Sequence, residues 1–311
     1  MSINASALAN IVGADNLLTD PAKVAYFATD VYRAQIMPGA VARPGTIEEL
    51  QAVVREAAAA KLPFTVRGGG ASYTDGYNAV DGSHLLIDMS RLNRIVEIDE
   101  FNGYVTVEAG VTWLQLSDAL EAKGLRTPFR GPFSGIAATI GGSMSQNSIS
   151  HGSGAWGISA ESALAFDIVL ADGSLLRTGT GALGEKPFGR HAGPDLTGLF
   201  TGDCGVFGLK ARVTLPLLRH KPAHRVLSFA FAEFAQMHES MRRIAMERVE
   251  DRTSRSTPRC RRARSPSRSV RAASWRWRCP SSRVRPRSSP GSSRSRRRAF
   301  SPASRFPLRT S

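Results

Sequence analysis

The segment FTVRGGGASY, residues 64–73, carries the strongest fold signal of this chain. Phe64-Thr65-Val66 is typical of a short strand, and it runs directly into three consecutive glycines. Glycine permits positive φ and lets backbone amides converge on phosphate oxygens. Arg67 adds positive charge and Ser72 adds a hydroxyl donor. The segment therefore predicts an anion-binding loop after a strand, with a flexible turn as the alternative.

The sequence around this loop predicts an α+β fold. Thr46 and Glu49 form a capping box for a helix over Ile47–Ala60, whose apolar residues share one face. A second box, Thr112–Gln115, begins a helix that Gly124 ends. An extended segment is predicted over Met37–Pro44, strands over Leu85–Met89, Ile95–Ile98, Tyr104–Val107, Ala165–Leu170, Leu175–Arg177, Val213–Leu217 and Val226–Phe231, and a last helix over Phe234–Val249. Two hairpins are predicted, one that joins Ile95–Ile98 to Tyr104–Val107 and one that joins Ala165–Leu170 to Leu175–Arg177.

Two further segments are rich in glycine. Residues 134–157, SGIAATIGGSMSQNSISHGSGAWG, are almost uncharged, which indicates backbone packed against an extended ligand, or else a buried connection. Residues 202–209, GDCGVFGL, form a turn before a strand. His151 is interpreted as a structural hydrogen-bonding residue. Cys204 has no readable His–Asp partners, and the histidines show no metal-ligand spacing, so the sequence predicts no metal site.

The three Gly-rich segments, in this order on an α+β background, resemble the FAD-binding domain of the vanillyl-alcohol oxidase / p-cresol methylhydroxylase type. The resemblance covers about Ala40–Leu217. It implies a two-subdomain FAD-binding domain followed by an α+β cap domain. The cofactor contacts that it implies are Arg67, Gly68, Gly69, Gly70, Ala71, Ser72, Tyr73, Ser134, Thr139, Gly141, Gly142, Ser145 and Leu209.

The resemblance also implies a reaction. Members transfer a hydride from a CH–OH substrate, here a small 2-hydroxy acid or a polyol, to flavin N5, and the electrons pass on to an acceptor. Many members carry a flavin-tethering His where Ala71 stands, so FAD is expected to be non-covalent. No catalytic base is assigned. The alternatives are an FAD-binding module without turnover and a cationic nucleic-acid-binding protein.

A change of composition near residue 251 divides the chain. Residues 252–311 contain 19 Arg and no Lys, Asp or Glu, and the whole chain has a net charge of +15. Repulsion between like charges predicts a disordered tail. The mixture of Arg, Ser, Pro and Ala is typical of GC-rich DNA translated out of frame. An evolved basic tail that binds nucleic acid is the alternative.

These observations give a domain plan. Residues 1–36 are a helical lead-in, 37–222 the FAD-binding domain, 223–251 the start of a truncated substrate or cap domain, and 252–311 the tail. Turnover is therefore expected to be impaired. No apolar run is long enough for a membrane span, and no signal peptide is recognisable. Cys204 is the only cysteine before the tail, so no set of disulfides is indicated. A cytoplasmic location is therefore expected.

Overall fold

Residues 3–31, 36–221, 223 and 227–248 are described by the computed structural model of the protein. They belong to a unit that spans Met1–Ser256, and a second unit spans Thr257–Ser311. The predicted disordered tail at 252–311 lies outside the described residues. The start of the predicted cap domain is described at residue 223 and over 227–248.

Helices and strands are mixed along the described chain, and the predicted α+β class is confirmed. The helices are α1 (Ala5–Val12), α2 (Pro21–Val24), α3 (Ile47–Ala59), α4 (Trp113–Glu121), α5 (Ile140–Ser145), α6 (Ser153–Trp156), α7 (Leu196–Leu199) and α8 (Phe234–Glu247). The strands are β1 (Leu17–Leu18), β2 (Ala40–Ala42), β3 (Phe64–Arg67), β4 (Leu85–Asp88), β5 (Ile95–Asp99), β6 (Tyr104–Glu108), β7 (Leu125–Arg126), β8 (Ala165–Val169), β9 (Leu175–Arg177), β10 (Leu209–Pro216) and β11 (Leu218–Arg219).

The first sheet contains the strand that leads into the glycine loop. Its order is β1-β2-β4-β3, with β2, β4 and β3 parallel and β1 antiparallel to β2. Every residue of β4 is buried, as expected for a parallel strand covered on both faces. Leu8 of α1 and Leu50 of α3 share a core cluster with Leu85 of β4. Because β1 joins this sheet, the N-terminal segment contributes a strand as well as helices.

The two predicted capping boxes have different outcomes. The Thr112 hydroxyl accepts from the Gln115 amide at 3.2 Å and the Gln115 side chain accepts from the Thr112 amide at 2.9 Å, so the box at α4 is confirmed. At α3 the Glu49 amide donates to the Thr46 hydroxyl at 3.1 Å. The Glu49 carboxylate, however, accepts from the Gly45 amide at 2.7 Å, so the reciprocal half of that box is wrong. Arg91, which lies 3.5 Å from this carboxylate and packs against Gly45, explains the displacement.

The second sheet is antiparallel and has the order β5-β6-β10-β8-β9. The predicted hairpins are confirmed as β5–β6 and β8–β9. The strand predicted over Val213–Leu217 begins earlier than expected: β10 runs over Leu209–Pro216 in the centre of the sheet and pairs with both β6 and β8. Trp113 of α4, Ile140 of α5 and Phe166 of β8 pack into one cluster beneath it.

The prediction of a strand over 226–231 is wrong for the described residues 227–231, which belong to no strand. No neighbouring strand among the described residues pairs with them, and Leu227 and Phe229 are 68% and 54% exposed. The helix predicted after them is confirmed as α8, although none of its residues is buried. Within the described part of the chain, no helix is both long enough and apolar enough to span a membrane.

Candidate functional site

The three Gly-rich segments converge on one cavity of about 380 Å³. Its lining includes Val66 at the end of β3, Met89 after β4 and Ala109 after β6, together with Lys210 at the start of β10. The cavity therefore lies where strands of both sheets end, which is where open α/β sheets commonly bind ligands. Its volume is in the range of small-molecule binding sites.

Most of the predicted cofactor contacts lie on this cavity. Those on the lining are Gly68, Gly69, Gly70, Ala71, Ser72, Tyr73, Ser134, Thr139, Gly141, Gly142 and Ser145. Arg67 and Leu209 are not on it. The predicted contacts on the lining are up to 77 positions apart, between Gly68 and Ser145, and the folding of both sheets is required to bring them together.

The glycine loop contacts the second segment backbone to backbone. A Cβ at Gly69 would collide with the carbonyl oxygen of Ala137, and a Cβ at Gly68 would collide with the Thr139 hydroxyl. The loop's glycines are therefore required by this contact, and they also leave a cradle that no side chain fills.

The second segment includes helical turns that were not predicted from the sequence. It contains α5 and α6. Thr139 caps α5, since its hydroxyl accepts from the Gly142 amide at 3.2 Å. Gly141 lies against Ala109 so closely that a Cβ would be 2.6 Å from the Ala109 Cβ. Small residues therefore let α5 pack against the end of β6 beside the cavity.

Arg67 occupies a structural position behind the glycine loop. Its guanidinium lies 5.1 Å from the ring centre of Phe27, 5.2 Å from that of Tyr26 and 5.6 Å from that of Tyr77. It also approaches the buried Asp88 carboxylate at 4.0 Å. Gly70, with φ of 67°, packs directly against this guanidinium. Arg67 therefore packs against the loop without lining the cavity, and a direct contact with phosphate stays a prediction.

The residue that directly follows the third segment lines the cavity, and it was not predicted from the sequence. Leu209 is 3% exposed and packs into the first core cluster, whereas the next residue, Lys210, lines the cavity. Successive residues of a strand point to opposite faces, which explains the difference. The Lys210 Nζ lies 2.7 Å from Asp203 Oδ1. Burial lowers the pKa of Lys210, and Asp203 acts against that shift.

The lining of the cavity contains few charged groups. Among the described residues that form it, Lys210 is the one charged side chain, and no Asp, Glu or His is present. The other polar groups include the hydroxyls of Ser72, Ser134 and Ser145. His151 lies off the lining, with its Nδ1 3.2 Å from the Gly131 carbonyl oxygen. A lining of backbone, hydroxyls and one cation suits a ligand that is anionic in part and uncharged elsewhere.

The cavity has an open end and a buried end. Tyr73 and Ile149 are 72% and 77% exposed and mark the mouth. Met89, Ala109 and Lys210 are 3%, 3% and 4% exposed and form the floor. The glycine cradle, the hydroxyl donors and the buried floor, which combines apolar side chains with one cation, together fit FAD, whose diphosphate, ribose and aromatic rings need these different surroundings.

Comparisons with known proteins agree with this geometry. Residues 38–179 match the family described as FAD binding domain. Glycolate oxidase subunit GlcD of Bacillus subtilis is 34% identical over 193 residues, which cover 62% of this chain and 39% of that protein. An uncharacterized FAD-linked oxidoreductase of Mycobacterium tuberculosis is 30% identical over 247 residues, which cover 78% of this chain and 52% of that protein.

A solved structure shows the same fold. p-Cresol methylhydroxylase with substrate bound superimposes with a TM-score of 0.61 at 21% identity, over 70% of this chain and 43% of that one. The present chain spans between about two fifths and one half of the length of the relatives it matches.

Proposed function

We propose, from the match of residues 38–179 to the family described as FAD binding domain, that the chain is the flavin-binding part of an oxidoreductase that takes a hydride from the CH–OH group of a small 2-hydroxy acid. FAD is the cofactor of this domain. The observation that carries the proposal is the convergence of three Gly-rich segments on one cavity without carboxylates.

Different residues of the cavity would bind different parts of FAD. The glycines at 68–70 allow close approach of the backbone, and the hydroxyls of Ser72, Ser134 and Ser145 supply hydrogen bonds. The buried floor excludes water from the end that does not react. When bound, FAD supplies the hydride acceptor at N5, and the protein binds and orients it. Substrate would enter from the exposed mouth, so the reacting ring of FAD would lie toward that end of the cavity.

The substrate class comes from a relative. The Bacillus subtilis protein is named as a glycolate oxidase subunit, and glycolate is a 2-hydroxy acid. A polyol stays the alternative substrate. Because the chain spans only part of this relative's length, the substrate and the electron acceptor of the whole protein are proposals.

A second function is an FAD-binding module without turnover. It is favoured by the lining itself, where the described residues include no Asp, Glu or His that could accept the hydroxyl proton. In this case the chain retains the cofactor but needs a base from elsewhere for substrate oxidation.

One anaerobic titration separates these functions. The purified full chain is loaded with FAD, and glycolate, D-lactate, L-lactate or a polyol is added while the visible flavin absorption is followed. Bleaching by a 2-hydroxy acid supports the oxidoreductase and identifies its substrate. Retained FAD that no substrate bleaches supports the module without turnover. A protein that retains no FAD contradicts both.

A further inference from the structure

Lys210 is placed unusually for a lysine in a central strand. Its side chain is 2% exposed, it lies on the floor of the cavity, and it is the one charged group of the described lining. Lysine is almost never fully buried without a partner or a ligand. Its position therefore needs an explanation beyond the packing of β10.

Asp203 holds this amine in place. One carboxylate oxygen, Oδ1, accepts from the Lys210 Nζ at 2.7 Å and from the Gly205 amide at 3.0 Å. The Asp203 side chain is fully buried, and its other oxygen, Oδ2, has no hydrogen-bond partner. A buried ion pair is a weak source of stability, because desolvation opposes the attraction and apolar residues of similar volume often serve as well. The pair is thus better explained by binding than by folding.

The surroundings indicate which part of FAD meets the amine. Gly205, bound to the same carboxylate, lies against Val66, since a Cβ there would be 2.8 Å from the Val66 Cγ1. Val66 leads directly into the glycine cradle. The amine is therefore near the start of the cradle and on the buried floor of the cavity, whereas the reacting ring would lie toward the exposed mouth. The part of FAD that belongs here is the non-reacting part, and its anionic group is the diphosphate.

We propose that the Lys210 ammonium, held by Asp203, pairs with the diphosphate of FAD at the buried end of the cavity. The inference rests on the FAD site described above but not on the oxidation of any substrate. Lys210 would then supply the single full positive charge of the described lining, and the glycine amides and serine hydroxyls would supply the remaining donors.

The test compares FAD with ADP-ribose, which contains the adenosine and diphosphate groups but no flavin. Affinities are measured by calorimetry on the full chain and on Lys210→Met. We expect the variant to bind both ligands about 10- to 100-fold more weakly, because it loses one charge-assisted hydrogen bond. Lys210→Arg, which keeps the charge, should retain more of the affinity than Lys210→Met.

A matched control separates a loss of binding from misfolding. Misfolding is a concern because Lys210→Met leaves the Asp203 carboxylate buried and unpaired. The double variant Asp203→Asn/Lys210→Met removes both charges and should restore the melting temperature without restoring affinity. Wild-type affinity in a folded Lys210→Met or double variant would overturn the proposal. Weakened FAD binding with unchanged ADP-ribose binding would also overturn it, because that result would indicate that the amine contacts the flavin and not the diphosphate. If the wild-type chain bound neither ligand, the FAD site itself would fail.

Discussion

Gly69 is the residue at which the glycine loop meets the second Gly-rich segment. A Cβ there would collide with the Ala137 carbonyl oxygen, and backbone cannot move aside as a flexible side chain can. We expect Gly69→Ala to lower the unfolding free energy by about 2 kcal/mol or more, roughly 5 °C in melting temperature for a domain of this size, and to abolish FAD retention. Thermal denaturation and the flavin spectrum measure both.

Gly82 provides the matched control. A Cβ at this position would have nothing within 4 Å, and its φ is not in the left-handed region. We expect Gly82→Ala to keep the wild-type melting temperature and FAD content. A Gly69→Ala protein that behaved in the same way would contradict the proposed contact.

Ala71 lines the cavity with a methyl group that cannot form a bond to flavin. We therefore predict that acid precipitation releases all FAD into the supernatant. Colour that remained in the pellet would contradict this, and Cys204, which also lines the cavity, would be the first attachment residue to replace by Ser. His151 lies off the lining and is a weaker candidate.

Individual contacts could be predicted from the sequence only where the residue type was sufficient. Glycines and small hydroxyl residues around the cavity were recognisable because their chemistry suits a cofactor that the backbone must approach. Arg67 and Leu209 were placed at the cavity, yet the strand directs one side chain behind the loop and the other into the core. The useful signal for Lys210 was a lysine inside an apolar strand, a few residues after Asp203.

The β5–β6 hairpin depends on Asp99 at the end of its first strand. The Asp99 carboxylate accepts from the Asn102 backbone amide at 2.8 Å and lies 2.8 Å from the Lys186 Nζ. The Asn102 amide first, and then Lys186, hold the pKa of Asp99 well below its ordinary value. A carboxyl whose pKa is lower in the folded state contributes stability above its unfolded pKa, and this is lost as pH falls through the folded pKa.

The expected result for Asp99→Ala follows from the lowered pKa of this carboxyl in the folded state. The variant should melt below wild type at neutral pH, and the difference should shrink once the pH falls below about 4, where the unfolded carboxyl begins to protonate. Melting curves across this range measure it. Glu100→Ala in the same turn is the control, because Glu100 and Lys123 form an exposed pair that contributes little. A difference that stayed constant into strong acid would contradict the assignment.

Elements could be predicted from the sequence where the signal was local. The two hairpins and the capping box at α4 depend on nearby residues, and they are confirmed. The strand at 226–231 was wrong, since a strand needs a partner and alternation alone does not supply one. α5 was missed because glycine and serine disfavour a helix, and here packing against Ala109 outweighs that propensity.

The chain as a whole has a C-terminal part that adds nothing to the described core. No residue of α8 is buried, and residues 227–231 are exposed. We expect a chain that ends at residue 221 to retain the FAD affinity and melting temperature of the full chain. Loss of folding in the shorter chain would contradict this.

The same pair of chains tests the basic tail, which carries 19 Arg after residue 251. An evolved nucleic-acid-binding tail would give the full chain a salt-sensitive binding to DNA or RNA that the shorter chain lacks. The out-of-frame interpretation of 252–311 stays a prediction, and resequencing the gene across codons 245–260 is its direct test.

The position of β10 has a consequence for how the protein is made. This strand lies in the middle of the second sheet, yet it is the last of the sheet's five strands to leave the ribosome. Until residue 216 has been synthesised, β6 and β8 have no partner between them, and their edges are open to other chains. Pairing over such sequence separations is slow. We therefore expect newly made protein to depend on chaperones during this interval, whereas finished protein does not.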